Sequence, residues 1–178
     1  MTIDIIPIRE DLIGSFHAAL DVVCRERAYL DAFLEAPPIE ATRDFVLGNI
    51  AKGHPQLVAV DEGQVIGWCD VTPMQRPTMQ HCGVLGMGLV PGWRGRGLGE
   101  RLIRQALDVA RAFGFSRVEL TVRDDNARAQ ALYRNVGFAT EGRKRRAVLV
   151  DGVFYDLIVM ALLFDGGAEV SDPLGPTR

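Results

Sequence analysis

Residues 88–103 read GLVPGWRGRGLGERLI, Gly88–Ile103, and this stretch decides the fold. An apolar run ends at Val90 and Pro91 interrupts it. Gly92, Gly95, Gly97 and Gly99 then alternate with Arg94 and Arg96. From Leu98 the apolar residues Leu102, Ala106, Val109, Ala110 and Phe113 fall into helical spacing. The reading is a strand, a glycine–arginine turn and the start of a helix. The first amides of a helix lack internal partners and point along its axis, and the helix dipole adds positive charge at that end. Glycines there let an anion approach the backbone. Arg94, Arg96 and Arg101 raise the local potential further. Such a turn suits a pyrophosphate. A tight glycine turn with solvated arginines is the plainer reading of the same residues.

Two common phosphate motifs fail here. A Walker A loop needs a lysine after its second glycine; Gly92 and Gly97 have the spacing, but Leu98 takes the lysine's place. A dinucleotide fingerprint begun at Gly95 ends on Glu100, and one begun at Gly97 ends on Leu102. What remains is an R-x-x-G-x-G turn at Arg94, Gly97 and Gly99.

Upstream, GVLGMGLV is the strand leading into the turn, and QLVAV and QVIGWCDV flank Asp61-Glu62-Gly63 as a hairpin. Helices are predicted from Asp11 to about Arg25 and from Ile39 to Lys52, the latter with Phe45, Val46 and Ile50 on one side; Ile3–Ile8 is a first strand. Downstream come the strand RVELTV, a helix over Asn126–Val136 closed by Gly137, and strands at about Arg145–Val150 and Phe154–Leu163. Asp151-Gly152 between them is a type I′ turn pair. Consecutive strands imply antiparallel pairing, whereas the central strand–helix–strand unit needs a parallel crossover. The predicted class is α/β, an α+β mixed sheet with helices on both faces. No repeat or dividing linker is visible, so residues 1–164 are expected to form one domain, with residues 165–178 a mobile tail.

The bulk numbers exclude several classes. A length of 178 residues, with 48% hydrophobic and 24% charged residues, fits a globular chain with a real core. A net charge of -3 speaks against a nucleic-acid partner, which favours a basic face. No apolar run approaches the roughly 18 residues of a membrane span. The start, MTIDIIPIRED, lacks the basic and apolar regions of a secretion signal. Cys24, Cys69 and Cys82 are widely spaced and odd in number, which fits reduced thiols and a cytoplasmic location better than a disulfide framework or a zinc site.

Taken with its second half, the chain resembles the GCN5-related N-acetyltransferase (GNAT) superfamily. The matching stretches are GLVPGWRGRGLGERLI, VELTVRDDNARAQALYRNVGF (Val118–Phe138) and DGVFYDLIVMALL (Asp151–Leu163), in family order and at family spacing. The likeness runs from about Ile3 to Leu163. QRPTMQHCGVLGMGL and EGRKRRAVLVDGVFYDLIVMAL look like bacterial members with small-molecule, notably amino-acid, acceptors.

The resemblance implies the GNAT fold, a central, mostly antiparallel sheet in which one parallel pair of strands splays apart. Here that pair is Gly86–Val90 and Val118–Val122. It implies acetyl-CoA in the wedge, with coenzyme A as product. The cofactor's pantetheine amides would pair with backbone near Leu89 and Val90. Its pyrophosphate would lie on the amides of Arg94, Gly95, Arg96, Gly97, Leu98, Gly99 and Glu100, the Arg94 side chain assisting. Asn126 would serve the cofactor arm, and Tyr133 would protonate the departing sulfur. Plainer roles compete: Asn126 is a good N-cap, and Tyr133 suits a core beside Leu132 and Phe138. Gly86 and Gly88 fit either the family's strand bulge or close packing under Trp93. Arg128 and Arg134 are further candidates for the nucleotide phosphates.

The implied reaction is direct transfer to a primary amine, with a strand amide near Leu89 stabilising the oxyanion. An amine with a pKa of about 8 to 10 is mostly protonated at neutral pH, so a base is needed. Many relatives carry a carboxylate on the first wedge strand; this chain has none between His81 and Val90. Glu26, Asp70, His81 or a water chain are the candidates. Cys69 and Cys82 lack a patterned His partner. The acceptor's walls would be CRERAYLDAF (Cys24–Phe33) and TPMQRPTMQH (Thr72–His81). Arg25 or Arg27 would hold the carboxylate of a free amino acid, unless they form an ordinary charged helix face. Tyr155 is a further candidate for the pocket. The expected partner is a small-molecule amine. The rivals are a protein or peptide N-terminal acetyltransferase and a non-catalytic acyl-CoA sensor. The closing hairpin could pair across a homodimer.

Overall fold

The computed structural model describes residues 3–30 and 32–164. The expected tail, residues 165–178, lies outside the described residues. The chain runs β1 (Asp4–Pro7), α1 (Ile13–Arg25), α2 (Ile39–Lys52), β2 (Gln56–Asp61), β3 (Gln64–Pro73), β4 (Cys82–Leu89), α3 (Leu98–Phe113), β5 (Arg117–Arg123), α4 (Ala127–Asn135), β6 (Ala139–Val150) and β7 (Val153–Leu163). Among the described residues the strands form one sheet in the order β1-β2-β3-β4-β5-β7-β6. Every neighbouring pair is antiparallel except β4 and β5. This is the mixed sheet that the element order predicts.

Helices pack on both faces of the sheet, and alternation along β2 and β3 divides their residues between two cores. Leu57 and Ala59 of β2 pack with Leu98, Leu102, Ile103, Ala106 and Ala110 of α3. Val58, on the same strand, packs with Phe16, Leu20 and Val23 of α1. Trp68 of β3 meets Phe16 edge to face, with ring centroids 5.6 Å apart. No helix among the described residues is long and apolar enough to cross a membrane.

Several elements differ from their predicted form. The buried face of α2 is Thr42, Val46 and Asn49, whereas Phe45 and Ile50 are more than 40% exposed. On α3, Val109 and Phe113 likewise turn outward, and Ile103 and Leu107 complete the buried stripe. Strand β6 begins at Ala139 rather than Arg145. It is an edge strand with mostly exposed residues, so its polar sequence TEGRKRR carries no burial signal. Both predicted hairpins form, and the turn residues have positive φ: Asp151 and Gly152, the predicted type I′ pair, at 50° and 80°, and Glu62 and Gly63 at 47° and 80°.

The pairing that matters most ends early. β4 and β5 pair only at Cys82–Arg117, Gly83–Val118 and Val84–Glu119. Beyond Val84, β4 stays with β3 in unbroken register as far as Leu89 opposite Gly67. β5 meanwhile stays with β7 as far as Arg123 opposite Leu157. The sheet therefore splits between β4 and β5. No bulge marks β4 on its β3 side. Gly86 and Gly88 instead make room for side chains of β3, not for Trp93. A Cβ on Gly88 would lie 2.2 Å from the Trp68 ring, and one on Gly86 would lie 3.3 Å from Asp70 Oδ1.

Candidate active site

The split leaves main-chain groups without strand partners. Val90 N–H donates to Ile66 O at 3.0 Å and so faces β3, away from the wedge. By alternation the main-chain groups of Met87 and Leu89 face the wedge. Leu89 O there accepts from Arg94 Nε at 2.8 Å. Of the two backbone positions expected to meet the cofactor arm, only Leu89 is turned toward it.

A cavity of about 330 Å³ opens along this edge, bounded by Met87, Leu89, the turn and α4. In the turn, Gly95 and Gly97 have φ of 77° and 76°, a left-handed conformation that a side chain would strain. Gly97 is the N-cap of α3, with no side chain capping the helix. The first helical bond is Arg101 N–H to Gly97 O. The amides of Leu98, Gly99 and Glu100 therefore remain for a ligand, with the dipole behind them. Gly95, Gly97, Gly99 and Glu100 line the cavity; Leu98 is buried in the core, and Arg96 stacks on Trp93 with its guanidinium carbon 5.3 Å from the ring centroid.

Arg94 lines the cavity but is engaged within the protein. Its two terminal nitrogens meet the carboxylate of Glu26 at 2.9 and 2.6 Å, and its guanidinium lies 4.6 Å from the Tyr29 ring centroid. Two expected site residues thus occupy each other, and the pair ties the end of α1 to the glycine turn. Asn126 accepts from Ala129 N–H at 3.1 Å as the N-cap of α4 and also lines the cavity. Tyr133 lines it too, 7% exposed, with its ring 5.9 Å from Phe138. Arg128 borders the turn beside Gly95, whereas Arg134 hydrogen-bonds Gln130 on the exposed side of α4.

A second cavity of about 440 Å³ lies on the opposite face, between α1, α2 and β3. Its walls include Phe16, Leu20, Phe33, Phe45 and Trp68. Met87 lines both cavities, so they adjoin at the split in the sheet. Asp70 lines the second cavity and sits directly across from Gly86. Burial among apolar walls pushes its carboxyl up to about 7. Because Gly86 has no side chain, this β3 carboxylate reaches over β4 to the place where a residue of β4 would stand.

The other candidates lie elsewhere. His81 is exposed at the closed end of the split, where its carbonyl accepts from Ser116 N–H, and it lines neither cavity. Arg25 pairs with Asp21 at 2.6 Å and Glu35 at 3.4 Å, and Arg27 pairs with Asp151; neither lines a cavity. Tyr155 lies beneath Arg123, whose guanidinium carbon is 3.5 Å from the ring centroid. The segment Cys24–Phe33 contributes Leu30, Ala32 and Phe33 to the second cavity, but Thr72–His81 contributes nothing. α2 forms that wall instead. The cysteines are buried and free, and burial raises all three thiols, Cys24 to about 11, away from nucleophilic use.

Sequence reasoning missed Met87 as the junction and Phe45 as a wall. The available signal was Phe45 itself, an aromatic beside the narrow buried stripe of α2.

Comparison with known proteins agrees with this geometry. Residues 21–138 match the Acetyltransferase (GNAT) family model. An L-amino acid N-acetyltransferase, AaaT, of Escherichia coli is 34% identical over 61% of this chain and 68% of that protein. An N-alpha-acetyltransferase, RimI, of Mycobacterium tuberculosis is 37% identical over 65% of this chain and 69% of that protein. The structure of yncA from Salmonella typhimurium, described with its cofactor acetyl-CoA, superposes with a TM-score of 0.88 at 18% identity, covering 94% of this chain and 97% of that one. The chain belongs to the GNAT acetyltransferase family. It is an N-acetyltransferase, and its acyl donor is acetyl-CoA.

Proposed function

We propose that the chain transfers the acetyl group directly to the primary amine of a small molecule, with Asp70 as base and Tyr133 as proton donor. The observation that carries this reading is Asp70. It is a carboxyl held near neutrality in an apolar cavity that adjoins the split through Met87. A base is most useful when its pKa lies near the working pH.

Acetyl-CoA supplies the activated thioester. The amides of Leu98, Gly99 and Glu100 hold its pyrophosphate, and Leu89 offers backbone pairing to its arm. Asn126 spends its carbonyl on Ala129, which leaves its amide NH₂ for the ligand. Asp70 takes a proton from the incoming ammonium. As the N–C bond forms and the C–S bond breaks, Tyr133 Oη supplies the proton that turns the sulfur into a thiol, and the second proton, lost by the new amide nitrogen, restores the phenol. The Met87 N–H, the other wedge-facing amide of β4 near Leu89, is the donor for the developing oxyanion. Glu26, tied to Arg94, braces the turn and has no proton-transfer role in this scheme.

A thiol-release assay with acetyl-CoA and a panel of amines tests the scheme. Asp70→Asn is expected to lower kcat/KM about a hundredfold at pH 7, with acetyl-CoA affinity unchanged. A variant within twofold of the parent rate would remove Asp70 from the mechanism.

A further inference from the structure

The second cavity also carries information about what the acceptor is. Resting on the acetyl-transfer reading, we propose that it admits primary amines without a carboxylate, carried on an aromatic or branched alkyl body, and excludes free amino acids.

Charge is the first argument. Asp70 is the only ionisable side chain among the described lining residues. The stretch that supplies Ala32, Phe33, Pro37, Ala41 and Thr42 to the lining, residues 32–42, carries Glu35 and Glu40 and no Lys, Arg or His. Flanking arginines do not substitute for one: Arg25 and Arg27 are engaged with Asp21, Glu35 and Asp151 outside the cavity. An α-carboxylate brought to this site loses its hydration, gains no cation and approaches Asp70. A buried charge without a partner is strongly disfavoured. An ammonium meets the opposite situation, because the one charge present attracts it.

Shape and polarity are the second. Phe33 and Phe45 are 45% and 41% exposed, unusual for aromatics, and both line this cavity together with Phe16, Leu20 and Trp68. A volume of about 440 Å³ suits a single ring or a short branched chain. The further lining side chains with a polar atom are neutral: Trp68, through its indole N–H, and Thr42, 3% exposed, whose hydroxyl has no hydrogen-bond partner. That permits one uncharged polar group on the acceptor. The ammonium end is oriented by Asp70 across from Gly86, beside Met87, where the two cavities adjoin.

Matched pairs test the inference on the full chain: phenethylamine against phenylalanine, and isoamylamine against leucine. Binding to the coenzyme A-loaded protein is measured by calorimetry, and turnover by thiol release. Each amine is expected to bind at least about tenfold more tightly than its amino acid, and to show the same ordering in kcat/KM. Phe45→Arg, at an exposed helix position, places a cation at the cavity and is expected to raise phenylalanine binding relative to phenethylamine. Equal or tighter binding of the amino acids by the unaltered protein overturns the inference. So does a Phe45→Arg variant that leaves the ratio unchanged. Preferential amine binding with no thiol release from any amine would instead sink the acetyl-transfer reading while upholding the acceptor class.

Discussion

At the residue scale, the proposed scheme divides the proton chemistry between two side chains. Asp70 must be ionised to act, and its carboxyl is pushed up to about 7 by burial. The rate is therefore expected to rise with pH through neutrality and level off above it, measured as kcat/KM for an amine at saturating acetyl-CoA. Among the described residues no other ionisable group lines its cavity, so the limb should follow a single ionisation. The same residue has a stability signature. Its folded pKa lies above the ordinary value of 3.8. Its contribution therefore favours the native state below that value and is lost as pH rises to about 7. Asp70→Asn should raise the melting temperature, more at pH 8 than at pH 5. Tyr133→Phe removes the proposed proton donor but keeps the ring packed on Phe138. It is expected to lower kcat about a hundredfold, with acetyl-CoA affinity within twofold. An unchanged kcat would remove Tyr133 from the mechanism.

At the element scale, the turn and its helix separate binding from folding. Gly97 begins α3 at φ 76°, with no contact within 4 Å of where a Cβ would stand. Gly97→Val meets backbone strain rather than collision, about 1–2 kcal/mol, and moves the amides proposed to hold the pyrophosphate. Calorimetry should show acetyl-CoA bound about tenfold more weakly, a change of about 1.4 kcal/mol. Leu102, one turn further on, is fully buried under the sheet. Leu102→Ala should cost about 3 kcal/mol in denaturant unfolding, with acetyl-CoA affinity kept at temperatures where the variant is folded. The helix was legible because its apolar period is strong. α2 was less so. It buries only Thr42, Val46 and Asn49, and Phe45 serves a cavity that no periodicity announces.

At the scale of the whole molecule, function comes from a sheet that fails to close. β4 is held by β3 and β5 by β7, so the parallel pair parts after Val84 and Glu119. The amides of Met87 and Leu89 should exchange hydrogen quickly in the free protein and become protected when acetyl-CoA is added, while Val90, bonded to Ile66, is slow in both. Fast exchange at Leu89 that persists with acetyl-CoA would mean that the cofactor arm does not pair there.

By itself the sequence determined the order of elements, the mixed sheet, the glycine turn at the head of α3 and the family. Each rests on local signals: apolar period, glycine at left-handed positions, and motif spacing. Only the tertiary structure placed a carboxylate, Asp70, in the cavity that adjoins the split. Asp70 and Gly86 are 16 residues apart in the chain, and nothing local links a β3 side chain to a gap on β4; register does. It also decided that Glu26 is bound to Arg94 and that the arginines near the acceptor are engaged elsewhere, because ion pairing depends on distances in space that spacing along the chain does not encode.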